Sequence, residues 1–334
     1  MGNNPVLLNK KFPPDDTSER KHWVFDRCQN HDVWLHWTVN DRCNLNCFYC
    51  DSHGSPLKKN GRNPEINIPA LMRTLERSEK IFKIRFTGGG EPFLIPNLIA
   101  ACIEITKKHY VGFNTNLTCG IIREFAEKID PERVANINAS LHIEELERLN
   151  LMERVIDNYL ICKNRGINIV ASAVAYPPLL QKVEAYRSFF KERGITINFT
   201  YFMGVYNNKE YPRSYTEEEI DRFDLNRDWL KKHYQYRGLC NAGYNAAMVD
   251  PDGNVFPCEG IRKSMGSVYD RIIFNKSLSA CPVKHCTCPL KQYDPYLFQK
   301  ALRENSSIAG KMVHLINCAK AYLKMGLANR RSRE

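Results

Sequence analysis

From Val33 to Phe202 the chain alternates six times between short β-branched or aromatic runs and stretches with helical spacing. Strands are predicted over Val33–Val39, Ile81–Thr87, Val111–Thr115, Val134–Leu141, Ile167–Tyr176 and Ile195–Phe202. Helices are predicted over Pro69–Lys80, Leu94–His109, Ile121–Ile129, Ile143–Asn164 and Leu179–Arg193. Gly166 and Gly194 stand where helix C-caps fall. Strands separated by helices must run parallel, because each return crosses a face of the sheet. The fold class is therefore α/β. Periodicity does not choose between an open doubly wound sheet and a partial barrel. In both, function gathers at the C-terminal ends of the strands.

Those ends carry the chemistry. After the first run comes Cys43-Asn-Leu-Asn-Cys47-Phe-Tyr-Cys50, three thiols within eight residues. Three soft ligands on one loop can hold three corners of a cubane iron–sulfur cluster and leave one iron open. The competing readings are a reduced structural cysteine group or half a zinc site. Zinc sites come as paired C-x2-C units, and C-x3-C-x2-C is not that spacing. After the second strand, Gly88-Gly-Gly-Glu91-Pro92 exposes backbone groups to a ligand, or makes a tight turn. Asn114-Thr-Asn116-Leu117, Ser140-Leu-His142 and Ser172 follow at later strand ends. His142 is a polar rim residue or a general base, and Ser172 is a pocket residue or small packing.

The motif C-x3-C-x-φ-C with an aromatic φ, here Tyr49, resembles the signature of the radical S-adenosylmethionine (radical SAM) superfamily. The resemblance implies a partial (β/α)6 TIM-like barrel with the cluster loop after strand one. Cys43, Cys47 and Cys50 would hold a [4Fe–4S] cluster whose open iron binds S-adenosylmethionine. An electron from a donor such as flavodoxin or ferredoxin would then yield a 5′-deoxyadenosyl radical that takes hydrogen from substrate. Gly89, Gly90, Glu91 and Pro92 match the GGEP motif that holds the cofactor's amino group. Thr115-Asn116 matches a T-N-G ribose motif, with Leu117 in place of glycine. Ser140 is implied for the ribose or carboxylate, and Ser172 for the adenine side.

Beyond the barrel, Thr216-Glu-Glu-Glu219 reads as a capping box opening a helical bridge. Cysteines then gather again at Cys240, Cys258, Cys281, Cys286 and Cys288. Pro251-Asp-Gly253 between apolar runs predicts a hairpin that brings Cys240 and Cys258 together. Cys240-x12-Gly253-x4-Cys258 resembles the opening of SPASM and twitch extensions. That likeness implies one auxiliary [4Fe–4S] cluster held by four of the five cysteines; a zinc-ribbon-like site is the alternative. The expected division is an arm (1–30), the barrel (31–215), a helical bridge (216–237), a small cysteine-rich domain (238–292) and a terminal helix with a basic tail (293–334). Ile308, Met312, Leu315, Ala319, Tyr322 and Leu323 mark one face of that helix.

Composition bounds the rest. With 334 residues, 43% hydrophobic and 25% charged, the chain suits one large domain and a small one. Its 13 cysteines, an odd number, no signal segment and no membrane-length apolar run point to a cytoplasmic protein. A net charge of +11, spread rather than massed, reads as a solubilising surface charge; the sharper reading is attraction for an anionic partner, a small molecule rather than nucleic acid, since no basic run with interleaved aromatics stands out. The expected activity is an oxidoreductase-type radical reaction, dehydrogenation of a small polar metabolite such as a sugar conjugate. The alternatives are a peptide maturase, an RNA-modifying enzyme and a non-catalytic metal-stabilised binding module.

Overall fold

The computed structural model describes residues 30–50, 61–227, 238–284 and 294–305. Six strands lie side by side in chain order, all parallel: β1 (Val33–Thr38), β2 (Phe82–Thr87), β3 (Tyr110–Thr115), β4 (Val134–Leu141), β5 (Ile169–Val174) and β6 (Ile197–Thr200). That order decides what periodicity left open. A doubly wound sheet reverses direction partway, making non-consecutive strands neighbours. Here every unit advances the same way round, as the wall of a barrel does.

The sheet also takes in strands that follow β6 in the chain. After β6 come a small hairpin, β7 (Gly204–Tyr206) with β8 (Lys209–Tyr211), and then β9 (Leu239–Cys240). Next, β10 (Ala246–Val249) returns to pair parallel with the far edge of β1, Trp34 opposite Ala246. The expected hairpin then forms: β11 (Val255–Phe256) runs back antiparallel, with Val249 opposite Val255. The wall thus has eight strands, and its edges, β11 and β6, do not pair with each other. It is a partial barrel. A last short strand, β12 (Ser279–Ala280), pairs with β9.

Helices α1 (Ile68–Arg77), α2 (Leu98–Thr106), α3 (Ile122–Lys128), α4 (Ile143–Arg148), α5 (Met152–Asn164) and α6 (Val183–Glu192) link the six parallel strands. Two departures from the predicted spans have local causes. Pro96 holds Ile95 extended (ψ 122°), so α2 starts at Leu98 after a 3-10 turn over Pro92–Leu94. Asn150 takes a left-handed conformation (φ 54°) and splits the Ile143–Asn164 stretch into α4 and α5. Gly166 and Gly194, at φ 79° and 75°, end α5 and α6 as expected.

One sheet face is apolar. Trp37, Phe86 and Phe113 on β1, β2 and β3 stack at 5.6 and 5.5 Å between centroids, in one core with α2 and α3 residues such as Leu98 and Phe125. The alternate residues, Arg85, Thr87, Asn114, Asn136, Asn138 and Ser140, point to the other face, the inside of the barrel. Below it, buried Asp294 joins Lys83 and His31 (2.7 Å) and caps α8 (Pro295–Asn305) through Leu297 N at 2.9 Å. α7 (Glu217–Phe223) opens on the predicted capping box of Thr216 and Glu219. The faces proposed for Ile308 to Leu323 and the rest of the bridge, 228–237, lie outside the described residues.

Candidate active site at the strand ends

The Cys43–Cys50 loop follows β1, and side chains from the ends of β3 and β4 hold it. After β3, Thr118 Oγ1 accepts from Asn44 Nδ2 at 2.6 Å, and Asn116 Nδ2 donates to Asn44 Oδ1 at 2.9 Å. After β4, Glu145 accepts from Asn46 N at 2.9 Å and is itself gripped by Arg148 at 2.7 and 2.8 Å. Also at the β4 end, His142 Nδ1 pairs with Tyr49 Oη at 3.2 Å. His142 therefore has a partner that sequence spacing did not show. Burial, with the Cys47 and Glu144 charges nearby, pushes the Tyr49 phenol well above its usual range, so it stays neutral. Phe48 is exposed, while Tyr49 packs on Tyr176 at 5.1 Å.

The thiols suit a cluster. Cys43 and Cys50 are half-buried, Cys47 is buried, and none is in a disulfide. Among the described residues no three His, Cys, Asp or Glu side chains converge on one ion position. The all-sulfur donor set of the loop fits an iron–sulfur cluster.

Gly88–Gly90 passes against this loop. A Cβ on Gly90 would stand 1.9 Å from Arg42 O, and Glu91 N donates to that carbonyl at 2.8 Å. Only glycine permits the approach. Glu91 itself turns inward. Its carboxylate, 2% exposed, accepts from Phe93 N (3.0 Å), Thr115 Oγ1 (2.7 Å) and Asn116 N (2.7 Å). Burial pushes its pKa up to about 7 against those three donors. So the GGEP glutamate spends its side chain tying the β2 and β3 ends together. Leu117, in the place of a glycine, still adopts φ 56°, and Asn158 of α5 donates to Leu117 O at 2.7 Å. The turn is kept by tertiary hydrogen bonds.

Ser140 and Ser172 pair in register across β4 and β5, and Ser172 Oγ donates to Asn138 Oδ1 at 2.8 Å. Beneath them Arg85 crosses Gly112, its register partner on β3, and reaches Asn136 on β4; its other arm meets Asn114 Oδ1 at 3.0 Å. His36 is in register with Arg85, and its buried Nδ1 has no hydrogen-bond partner. Burial and the neighbouring guanidinium hold its pKa down to about 3, so it is neutral. Sequence reasoning passed over His36, Arg85, Asn44, Thr118 and Glu145. The signal for two of them, His36 and Arg85, was available: a parallel sheet is buried on both faces, and polar residues at alternate positions of β1 and β2 mark an interior that must receive something polar.

Cys240, Cys258 and Cys281 are buried together in a small core with Trp34, Met248 and Leu297. β9 and β12 bring this about, since Ser279 pairs with Cys240 and Cys281 follows directly. Cys286 and Cys288 lie outside the described residues. A groove of about 290 Å³ lies beside Cys258, lined by Thr38, Asp41, Arg62 and Met248 among others.

Comparison with known proteins agrees with this geometry. The model of the Radical SAM superfamily matches residues 37–180, from β1 through the end of β5. Residues 37–180 are a radical SAM domain. Radical SAM enzymes use S-adenosylmethionine and a [4Fe–4S] cluster. The chain is 25% identical over 199 residues to a GTP 3′,8-cyclase of Aliarcobacter butzleri, covering 56% of this chain and 60% of that one. It is 29% identical over 133 residues to molybdenum cofactor biosynthesis protein 1 of Dictyostelium discoideum, covering 39% of this chain and 20% of that one. It thus spans three fifths and one fifth of these relatives. Among solved structures, native anSMEcpe with bound AdoMet superposes with a TM-score of 0.52 at 19% identity, over 71% of this chain and 78% of that one. Streptococcus suis SuiB bound to S-adenosylmethionine does so at 0.50 and 17%, over 72% and 64%. These likenesses show the fold. The matched residues begin on the last two positions of β1 and include the ends of β1 to β5 and the thiol loop. No helix among the described residues is long and apolar enough to cross a membrane.

Proposed function

We propose that this radical SAM enzyme takes a hydrogen atom from a small polar substrate inside the barrel and that the net reaction is an oxidation. Cys43, Cys47 and Cys50 hold the [4Fe–4S] cluster. The Gly88–Gly90 backbone, Pro92, Tyr49, Ser140 and Ser172 flank S-adenosylmethionine. Cys240, Cys258 and Cys281, with Cys286 or Cys288, hold an auxiliary [4Fe–4S] cluster. When bound, these groups supply a 5′-deoxyadenosyl radical and an electron sink.

The observation that carries the substrate class is the barrel interior: Arg85 fixed between Asn114 and Asn136, with neutral His36 beside it and Nδ1 unsatisfied. A buried polar atom without a partner costs about 1–3 kcal/mol, and a bound hydroxyl or amine removes that cost. Arg85 favours an acceptor-rich, anionic end. Such a floor suits a sugar phosphate or similar conjugate and rejects an apolar chain.

The test is anaerobic reconstitution with dithionite and S-adenosylmethionine, followed by deuterium transfer into 5′-deoxyadenosine from deuterated sugar conjugates. Deuterium capture together with loss of two substrate hydrogens supports the reading. Deoxyadenosine formation that survives Cys43→Ala, Cys47→Ala and Cys50→Ala would end it. A second reading, cyclisation of a nucleotide, is favoured by the relatives named GTP 3′,8-cyclase. Capture of deuterium from ribose-deuterated GTP, and not from sugar conjugates, would select it.

A further inference from the structure

We infer that Asn116 is a positioning residue of the cluster loop, that its side-chain amide donates to Cys43 Sγ, and that it raises the reduction potential of a cluster bound there. This rests on the reading of Cys43 as a cluster ligand. The sequence motif pointed Asn116 at a ribose instead. In the folded chain both ends of its amide are engaged by protein. Oδ1 accepts from Thr118 N at 3.0 Å and from Thr118 Oγ1 at 2.7 Å. Nδ2 donates to Asn44 Oδ1 at 2.9 Å and lies 3.9 Å from Cys43 Sγ, the reach of a long N–H···S bond.

The donor count closes. Asn116 Nδ2 has two hydrogens, and Asn44 and Cys43 take one each. The Thr118 hydroxyl gives its hydrogen to Asn116 and accepts one from Asn44 Nδ2 at 2.6 Å. Asn44, Asn116 and Thr118 therefore form a ring in which the orientation of each amide is dictated by the next. The ring is fixed to the sheet from below by the Asn116 N to Glu91 bond at 2.7 Å. Asn116 is 4% exposed, so water does not compete strongly for its hydrogens.

An N–H aimed at a ligating sulfur stabilises the extra negative charge that reduction brings, and hydrogen bonds to sulfur are a recognised lever on cluster potentials. Deleting the donor must make reduction harder. The experiment is an EPR-monitored redox titration of the reconstituted full chain, with S-adenosylmethionine affinity measured in parallel. Asn116→Asp keeps the shape but replaces the amide donor with an oxygen. It is expected to lower the reduction equilibrium about tenfold, 59 mV for one electron, with cofactor affinity changed less than about threefold. Thr118→Val leaves the Asn116 donor to Cys43 Sγ in place but releases the ring, and should shift the potential the same way by less. If Asn116→Asp fails to load iron, Thr118→Val decides. Unchanged potentials, or a cofactor affinity that falls tenfold at constant potential, overturn the inference. A wild-type chain that binds no cubane overturns the cluster reading with it; a cubane indifferent to both variants overturns this inference alone.

Discussion

Replacing Glu91 tests the site without any cofactor, because its role is set by hydrogen bonds within the chain. Three donors converge on its buried carboxylate: the amides of Phe93 and Asn116 and the Thr115 hydroxyl. In Glu91→Ala the hydroxyl can turn elsewhere, but the two amides cannot. Each stranded buried donor costs about 1–3 kcal/mol, so the variant should lose about 2–6 kcal/mol, a large part of a typical 5–15 kcal/mol. Glu91→Gln keeps one acceptor and sets an NH2 against a donor, for a loss of about 1–3 kcal/mol. The pH dependence is a sharper check. The folded pKa of about 7 lies above the ordinary 4.5. The folded chain thus holds the proton more tightly, and stability falls as pH rises through that window, flat above it. The slope reaches at most about 1.4 kcal/mol per pH unit, about 3 kcal/mol across the window. Glu91→Gln lacks this term, so its deficit against wild type should be larger near pH 5 than near pH 7.5. Urea unfolding of the anaerobically purified proteins at both pH values measures it. A deficit that widens with rising pH would refute the argument that burial outweighs the three donors.

Gly90→Ala should keep its circular dichroism but lose cluster loading or S-adenosylmethionine cleavage by at least tenfold, since the new Cβ would stand 1.9 Å from a backbone oxygen of the thiol loop; wild-type turnover would show that the loop is not held there. Leu117→Gly relieves a left-handed backbone worth about 1–2 kcal/mol but removes a fully buried side chain worth about 2–5 kcal/mol. Net destabilisation is expected, and a raised melting temperature would contradict it. Asp294→Ala removes the carboxylate that buried Lys83 and His31 share and should cost about 3–5 kcal/mol in urea unfolding. Its partners hold the Asp294 carboxyl well below its usual range. That contribution is present above the ordinary carboxylate pKa of 3.8 and is lost as pH falls below it, so the Ala variant should show a weaker acid transition.

Much of this protein is legible in its sequence, because the relevant signals are local. Strand and helix periods, the thiol spacing, the Pro-Asp-Gly hairpin, the capping box and the glycine C-caps each depend on a few adjacent residues, and each appears where its residues stand. Contacts between distant residues were not legible. Nothing near Ala246 says that it will lie beside Trp34 and extend the barrel wall. The GGEP motif does not say that Glu91 points inward at Thr115, nor does His142 announce Tyr49. Local sequence determined which residues reach the strand ends, since backbone conformation depends on neighbours in the chain. Tertiary structure alone decided what each side chain does there, since a buried donor or acceptor must be satisfied by whatever the fold brings within 3 Å.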